Sequence, residues 1–431
     1  MDVETILFAL TLAIGFYMAW NIGANDVSNA IGTSVGSGAL TLRRAVILAA
    51  IFEFAGAFLV GGHVSEMVQK GIVHPDLFIN DPRQLVYGMM AALCAAGVWL
   101  QLASYFGWPV STTHSIVGAV AGFGLVYGGV DAIQWENMSS IVLSWLVSPL
   151  LGAVSAYLIF TFITRFIFYS SHPVEAAKRW APVMVFFVLF MLSQVILFKG
   201  LKNLHLDFNA MQAFSIASVI GLIGAAFIYF LVSRIVVDES DGLEDLPDPF
   251  LIMGLDQNRM GYQTVERIFA WMQMLSASTM AFAHGANDVA NAIGPLSAVI
   301  VVLKTGSLQG QSTVPTWVLL LGGAGIVIGL ATWGWRVIET IGKKITELTP
   351  SRGFAAEFAA ATTILFASKL GLPISTTHTL VGAVLGVGLA RGIGALNLNT
   401  IRDIFISWIV TVPAGALLSI GFFYLFRMIF S

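Results

Sequence analysis

The stretch Gly23–Gly32 reads GANDVSNAIG, and Gly285–Gly294 reads GANDVANAIG, with nine of ten letters shared. The second copy stands 262 positions after the first. A second string repeats in the same order: Ser111–Val120 is STTHSIVGAV and Ser375–Val384 is STTHTLVGAV, with an offset of 264. The chain is therefore two related halves, each carrying the same pair of polar motifs. Duplicated polar and glycine-rich interruptions at matching points of two hydrophobic halves are the sequence signature of a transporter whose site lies where the repeats meet.

Of the 431 residues, 57% are hydrophobic and 10% charged, a composition that no water-soluble domain of this size could carry on its surface. The fold class expected is an all-α polytopic membrane protein. Asp2 and Glu4, rather than lysines, precede the first apolar run, Ile6–Trp20, which is read as a retained helix and not a signal peptide. The one cysteine, Cys94, has no partner for a disulfide, and a net charge of −3 gives no basic surface for nucleic acid.

Twelve apolar stretches are about long enough to span, five in each half and two, at 181–199 and 211–236, joining them. The ranges expected are a first repeat over 1–168, linking helices over 169–237, an acidic cytoplasmic linker over 238–263 and a second repeat over 264–431. Residues 5–36 would measure about 48 Å as one helix, against about 30 Å of hydrocarbon. A break is expected at Asn21–Asn25, and again at His284–Asn287 in the second copy. The turns Gly107-Trp108-Pro109 and Gly371-Leu372-Pro373 are short and lead straight into hydroxyl residues, which suggests re-entrant hairpins; two ordinary crossings are the alternative. Under either reading an odd number of crossings separates the copies, so the second repeat is inverted. Fourteen of the 21 Lys and Arg residues then fall on one side of the membrane, six on the other, with Lys369 embedded in a hairpin. The positive-inside rule makes the richer side cytoplasmic and puts both termini outside.

Within the first motif, Asn25, Asp26 and Asn29 share one helix face by their three- and four-residue spacings, as do Asn287, Asp288 and Asn291. An intramembrane aspartate is costly unless it holds a cation, a proton or a partner; a helix cap is the plainer alternative. The second motif places Ser111, Thr112 and Thr113, and again Ser375, Thr376 and Thr377, at a helix start, where free amides and hydroxyl donors suit an anion. Here too capping is the plainer reading for a single copy. Gln101 lies in the arm before the first turn, equally suited to substrate or to a packing bond. His114 and His378 divide evenly between packing and substrate roles. Carboxylates beside an anion site require cations to neutralise them, which is the physical basis of coupled symport. Oxygen-rich ligand sets favour hard cations, and no Cys/His cluster suggests a transition metal.

These motifs, with the P-[VI]-STTH strings that follow them, resemble the inorganic phosphate transporter family of cation-coupled symporters. The resemblance spans both halves and implies phosphate as substrate. It also implies an essential glutamate in each half, matching Glu53 in AAIFEFAGA and Glu357 in GFAAEFAAA, and a functional histidine matching His284, where the first copy has Ile22. The expectation is a sodium-driven phosphate importer of the plasma or inner membrane. Phosphate is bound by Asn25, Asn287, Gln101 and the six hydroxyl residues, and sodium, the one metal expected, by Asp26, Asn29, Asp288 and Asn291. Glu53, His284 and Glu357 serve coupling or gating, no cofactor is needed, and the lipid bilayer is the surrounding partner, with room for a homodimer. Relatives that use protons, or protons with a metal–phosphate complex, supply one alternative; a symporter of sulfate or another oxyanion is the second. A channel and an intramembrane hydrolase are the other classes. The latter fails because Ser111 and His114, or Ser375 and His378, lie on one helix start and rarely meet as nucleophile and base.

Overall fold

A computed structural model describes residues 2–62, 71–197, 208–235, 261–307 and 314–430, with positions 65 and 68 between the first two ranges. The acidic linker lies almost wholly outside the described residues. Among those described, the chain is helical apart from one isolated antiparallel bridge, Val73 to Ile133. The principal helices are α1 Val3–Gly36, α2 Leu42–Val60, α3 Pro82–Tyr105, α4 Thr112–Gly128, α5 Trp135–Ile163, α6 Pro173–Val195 and α7 Ala210–Ser233. They continue with α8 Tyr262–Asp288, α9 Ala290–Thr305, α10 Thr316–Trp333, α11 Pro350–Lys369, α12 Thr376–Arg391 and α13 Leu398–Phe430. Among the described residues, eight helical segments are long and apolar enough to cross a bilayer, with α8 and α9 counting as one. The hairpin arms α4 and α12 have 17 and 16 residues, about 24–26 Å of helix, which falls short of the hydrocarbon thickness.

The expected break in the first helix is not there: α1 runs unbroken through Asn21–Asn25 for 34 residues. The polar side chains do not interrupt it, because Asn21 donates back to the Tyr17 carbonyl at 2.9 Å and Ser28 to the Asn25 carbonyl at 2.9 Å. Gly23 serves close packing instead, since a Cβ there would lie 1.9 Å from the Ile326 carbonyl oxygen of α10. In the second copy the expected break at His284–Asn287 is likewise not there, because α8 runs through it to Asp288; the interruption comes later, at Val289. Pro295, which stands where the first copy has Thr33, lies inside α9 and cannot donate to the Asn291 carbonyl one turn before it.

The two halves interlock. Hairpin arm α4 of the first half packs against α13 of the second, and α12 of the second packs against α5 of the first. Small residues make both contacts tight: a Cβ on Gly118 would lie 2.5 Å from the Val412 carbonyl, and one on Gly382 would lie 2.2 Å from the Pro149 carbonyl. Likewise α1 packs on α10 and α2 on α8.

The two hairpin turns are built alike. Gly107 and Gly371 both take left-handed backbone, φ +69° and +72°, where a side chain would be strained. Gly107 N–H donates to the Ser104 carbonyl and Trp108 N–H to that of Ala103; Gly371 and Leu372 make the matching bonds to Ser368 and Ala367. These are helix-terminating turns of the same type, set by the same residue order, Ala-Ser-x-x-Gly-x-Pro.

Candidate functional site

Both polar motifs of both halves converge on one buried cluster. Asp26, Asp288, Asn25, Asn29, Asn287, Asn291 and the hydroxyl residues of the two turns are each at most 1% exposed. Thr112 donates to Asp26 Oδ2, and Thr376 donates to Asp288 Oδ2 at 2.7 Å, the same contact in each half. Asp26 also takes a bond from the opposite half, from Thr377 to its Oδ1 at 3.2 Å. Asn29 donates to Thr377 at 2.7 Å and Asn291 to Thr113 at 3.2 Å, so each motif helix reaches the other half's hairpin. Thr113 also donates across the gap to the Ile374 carbonyl at 3.0 Å, and the Val110 carbonyl, 3.3 Å from Thr377, is the alternative acceptor for the hydroxyl hydrogen that reaches Asp26.

Two asparagines anchor the hairpin turns. Asn25 donates to Ser104 Oγ at 2.9 Å and to the Trp108 carbonyl at 3.1 Å, while its oxygen accepts from Val110 N–H at 3.3 Å. Asn287 is placed likewise against Ser368 and Ile374. With its amide oriented so that the oxygen accepts from Ser368 at 3.1 Å, its nitrogen donates to Asp288 Oδ1 at 3.1 Å and to the Ile374 carbonyl at 3.2 Å.

Ser111 and Ser375 cap their helices, accepting from His114 N–H at 3.2 Å and His378 N–H at 3.1 Å. Their oxygens are committed as acceptors, and each hydroxyl hydrogen is left to donate. The imidazoles lie against tryptophans of the neighbouring long helices, His114 tilted against Trp145 with ring centroids 3.7 Å apart and His378 stacked on Trp408 at 3.5 Å. The two rings also meet edge to face at 4.2 Å. Gln101 accepts from the Tyr17 hydroxyl at 2.5 Å, a side-chain bond between α3 and α1.

The glutamates occupy two different places. Glu53 Oε2 lies 2.7 Å from His284 Nδ1, and His284 Nε2 lies 3.0 Å from Asp288 Oδ2 off the line of a hydrogen bond. Asp26, His284 and Asp288 bring their ligand atoms within 4.8 Å of one another, a donor set that could hold a cation. Burying two carboxylates together is expensive unless a cation, a proton or good donors compensate. Glu357 sits in a separate cage: Thr33 and Ser34 donate to Oε1 at 2.6 and 2.5 Å, Gln273 to Oε1 at 3.0 Å and Ser276 to Oε2 at 2.5 Å. Glu53 is on α2 and Glu357 on α11, so the two glutamates stand on helices of different rank in the two halves.

Several participants escaped the sequence reading. Ser104 and Ser368 were readable, since the Ala-Ser-x-x-Gly-x-Pro order recurs at the repeat offset. Thr33, Ser34, Gln273 and Ser276 have no such signal, because Pro295 and Leu296 stand where a repeat of Thr33 and Ser34 would fall.

Residues 22–419 match the phosphate transporter family. The chain is 49% identical over 436 residues to the chloroplastic inorganic phosphate transporter 2-1 of Arabidopsis thaliana, covering 99% of this chain and 73% of that one. A solved structure titled the sodium-dependent phosphate transporter superposes with a TM-score of 0.88 at 39% identity, covering 98% of this chain and all of that one. That family is one of transporters and not of enzymes, and its substrate places phosphate ahead of sulfate. The duplicated GANDV and STTH motifs, gathered into one buried cluster, and the match over nearly the whole chain make this protein a member of the phosphate transporter family.

Proposed function

We propose that this chain is a symporter that imports inorganic phosphate driven by a sodium gradient, with alternating access around the cluster between its two halves. The observation that carries the reading is the reciprocal crossing of Asn29 to Thr377 and Asn291 to Thr113, which ties each motif helix to the opposite hairpin. A site framed this way is opened on either side by moving one hairpin and its partner helix. In this reading the repeats are inverted, the hairpins are re-entrant and both termini lie outside. Asp26, Asn29, Asp288 and Asn291 hold sodium, and the Ser and Thr hydroxyls with Asn25 and Asn287 meet the phosphate oxygens. Glu357, caged by two threonine or serine hydroxyls of α1 and by Gln273 and Ser276, supplies oxygens of the kind sodium prefers and serves coupling. Gln101 takes the packing role, through its bond to Tyr17.

One observation favours a second reading. Glu53, His284 and Asp288 form a continuous chain of titratable groups leading to Asp26, which is what a proton route requires, and two carboxylates with an imidazole also suit a divalent ion travelling with phosphate. Radiolabelled phosphate uptake into proteoliposomes, with sodium, potassium and pH gradients imposed one at a time, separates the two. Sodium alone drives accumulation in the first reading; a pH gradient alone drives it in the second. Cysteines at Asp131 and Lys304 label from outside and those at Arg44 and Lys344 from inside if the second repeat is inverted.

A further inference from the structure

The two asparagines that hold the hairpin turns differ in their freedom. Asn25 has one orientation open to it: its oxygen accepts from Val110 N–H at 3.3 Å, which leaves its nitrogen to Ser104 Oγ and the Trp108 carbonyl. At the second turn the matching N–H, that of Ile374, is spent on the Leu372 carbonyl at 3.0 Å and does not fix the Asn287 oxygen in the same way. The Asn287 amide finds partners either way round. With its nitrogen toward Asp288 Oδ1 and the Ile374 carbonyl, its oxygen accepts from Ser368. Turned over, the nitrogen donates to Ser368 Oγ at 3.1 Å and to the Leu372 carbonyl at 3.4 Å, and the oxygen comes to lie 3.1 Å from Asp288 Oδ1 and 3.2 Å from the Ile374 carbonyl. The Ser368 hydroxyl serves both orientations, because it can donate or accept.

Three buried oxygens meeting in this way are costly unless a cation lies among them. Spacings of 3.1 and 3.2 Å are those of neighbouring ligands around a hard cation held at about 2.3–2.6 Å. The orientation of the amide is therefore tied to occupancy: nitrogen inward when the place is empty, oxygen inward when a cation is bound. Turning it over takes rotation about one side-chain torsion and no movement of the backbone.

We propose that Asn287 is a two-position switch that reports a sodium ion at Asp288 to the second hairpin turn. The inference rests on the sodium symport proposed above, and it moves Asn287 from the phosphate ligands to the sodium ligands, because the turned amide spends both hydrogens on Ser368 and Leu372. Arrival of sodium adds a bond from α8 to the turn at Leu372, and its departure removes that bond. Asn25 holds the first turn at Trp108 in both states, so the ion loosens one hairpin and not the other.

Amide hydrogen exchange of the full chain in detergent, read at the two turns in sodium or in potassium at equal ionic strength, provides the test. Sodium is expected to slow exchange across 370–375 about tenfold, by anchoring the turn against local opening, and to leave 106–111 unchanged. Ser368→Ala removes the hydroxyl that completes either orientation. It is expected to lose most of that protection and to raise the sodium concentration for half-maximal phosphate uptake about tenfold, with the phosphate KM at saturating sodium retained. Ser368→Thr keeps a hydroxyl and returns both readouts to within about twofold of the wild type. Equal protection of both turns, or of neither, while sodium still drives uptake into proteoliposomes, overturns the switch and leaves the symport reading standing. Protection and sodium dependence that survive unchanged in Ser368→Ala overturn it as well. Uptake that ignores sodium, with the second turn exchanging alike in sodium and potassium, overturns the switch and the symport reading together.

Discussion

Asn29 of the first half donates to Thr377 of the second at 2.7 Å, and Thr377 in turn donates to Asp26, three residues before Asn29 on the same helix. One hydroxyl of one half thus closes a ring on the other half's motif. The mirrored contact, Asn291 to Thr113, is longer at 3.2 Å, and Thr113 has no matching bond to Asp288 among the described residues. The bonds that cross between the halves are closer around Asp26 than around Asp288.

That inequality makes a measurable coupling. Removing Asn29 and Thr377 singly and together, as Asn29→Ala and Thr377→Val, is expected to give an interaction energy of about 0.5–3 kcal/mol in a thermal-stability cycle. The Asn291→Ala and Thr113→Val cycle is expected to give less. Equal coupling in the two cycles would show that the extra bond to Asp26 carries no energy.

Asp26→Asn and Asp288→Asn are each expected to abolish gradient-driven uptake while the protein still elutes as a folded species in size-exclusion chromatography. The amide keeps the shape, but it removes the charge together with one of the two acceptor oxygens, a buried mismatch of about 1–3 kcal/mol. Full gradient-driven uptake in both variants would take the aspartates out of the mechanism.

Glu357→Gln addresses the hydroxyl cage. Four donors converge on this carboxylate, and an amide nitrogen would face donors from at least one side, costing about 1–3 kcal/mol for a buried mismatch. Phosphate uptake is expected to need a higher sodium concentration for half-maximal rate, with the phosphate KM at saturating sodium retained. A sodium dependence identical to the wild type removes Glu357 from coupling.

Gly382→Ala tests the interlock. A Cβ 2.2 Å from the Pro149 backbone carbonyl has no flexible neighbour to push aside, so α12 must shift away from α5, at a cost of about 1–3 kcal/mol. Gly421→Ala is the control, because nothing lies within 4 Å of its Cβ and the helix gains roughly 1 kcal/mol from losing a glycine. Thermal unfolding in detergent is expected to fall for the first and to hold or rise for the second.

Much of the site was legible because it is written twice. Asn25, Asp26, Asn29 and the Ser-Thr-Thr triplets announced themselves by recurring, and in space they form one cluster. What repetition could not convey is which hydrogen-bonding option a residue takes. Asn21 and Gly23 read as a helix break, yet the asparagine satisfies itself on its own helix and the glycine admits the backbone of α10. Ser111 and Ser375 had both a capping and a substrate reading, and only the backbone geometry shows their oxygens spent on caps. The Glu357 cage lies where the halves diverge, so no internal comparison could reveal Gln273 or Ser276. Glu53 and Glu357 were named only as one glutamate in each half, and their different helices and partners could not be read from their flanking residues.

The exchange of helices between halves also sets an order of assembly. Gly118 is inserted early, but the α13 backbone it was shaped to meet, at Val412, is made about 290 residues later. At about 5–20 residues per second of synthesis, that glycine face waits roughly 15–60 s for its partner. During that interval the nascent first half holds a groove shaped for α13, filled only once that helix has been made.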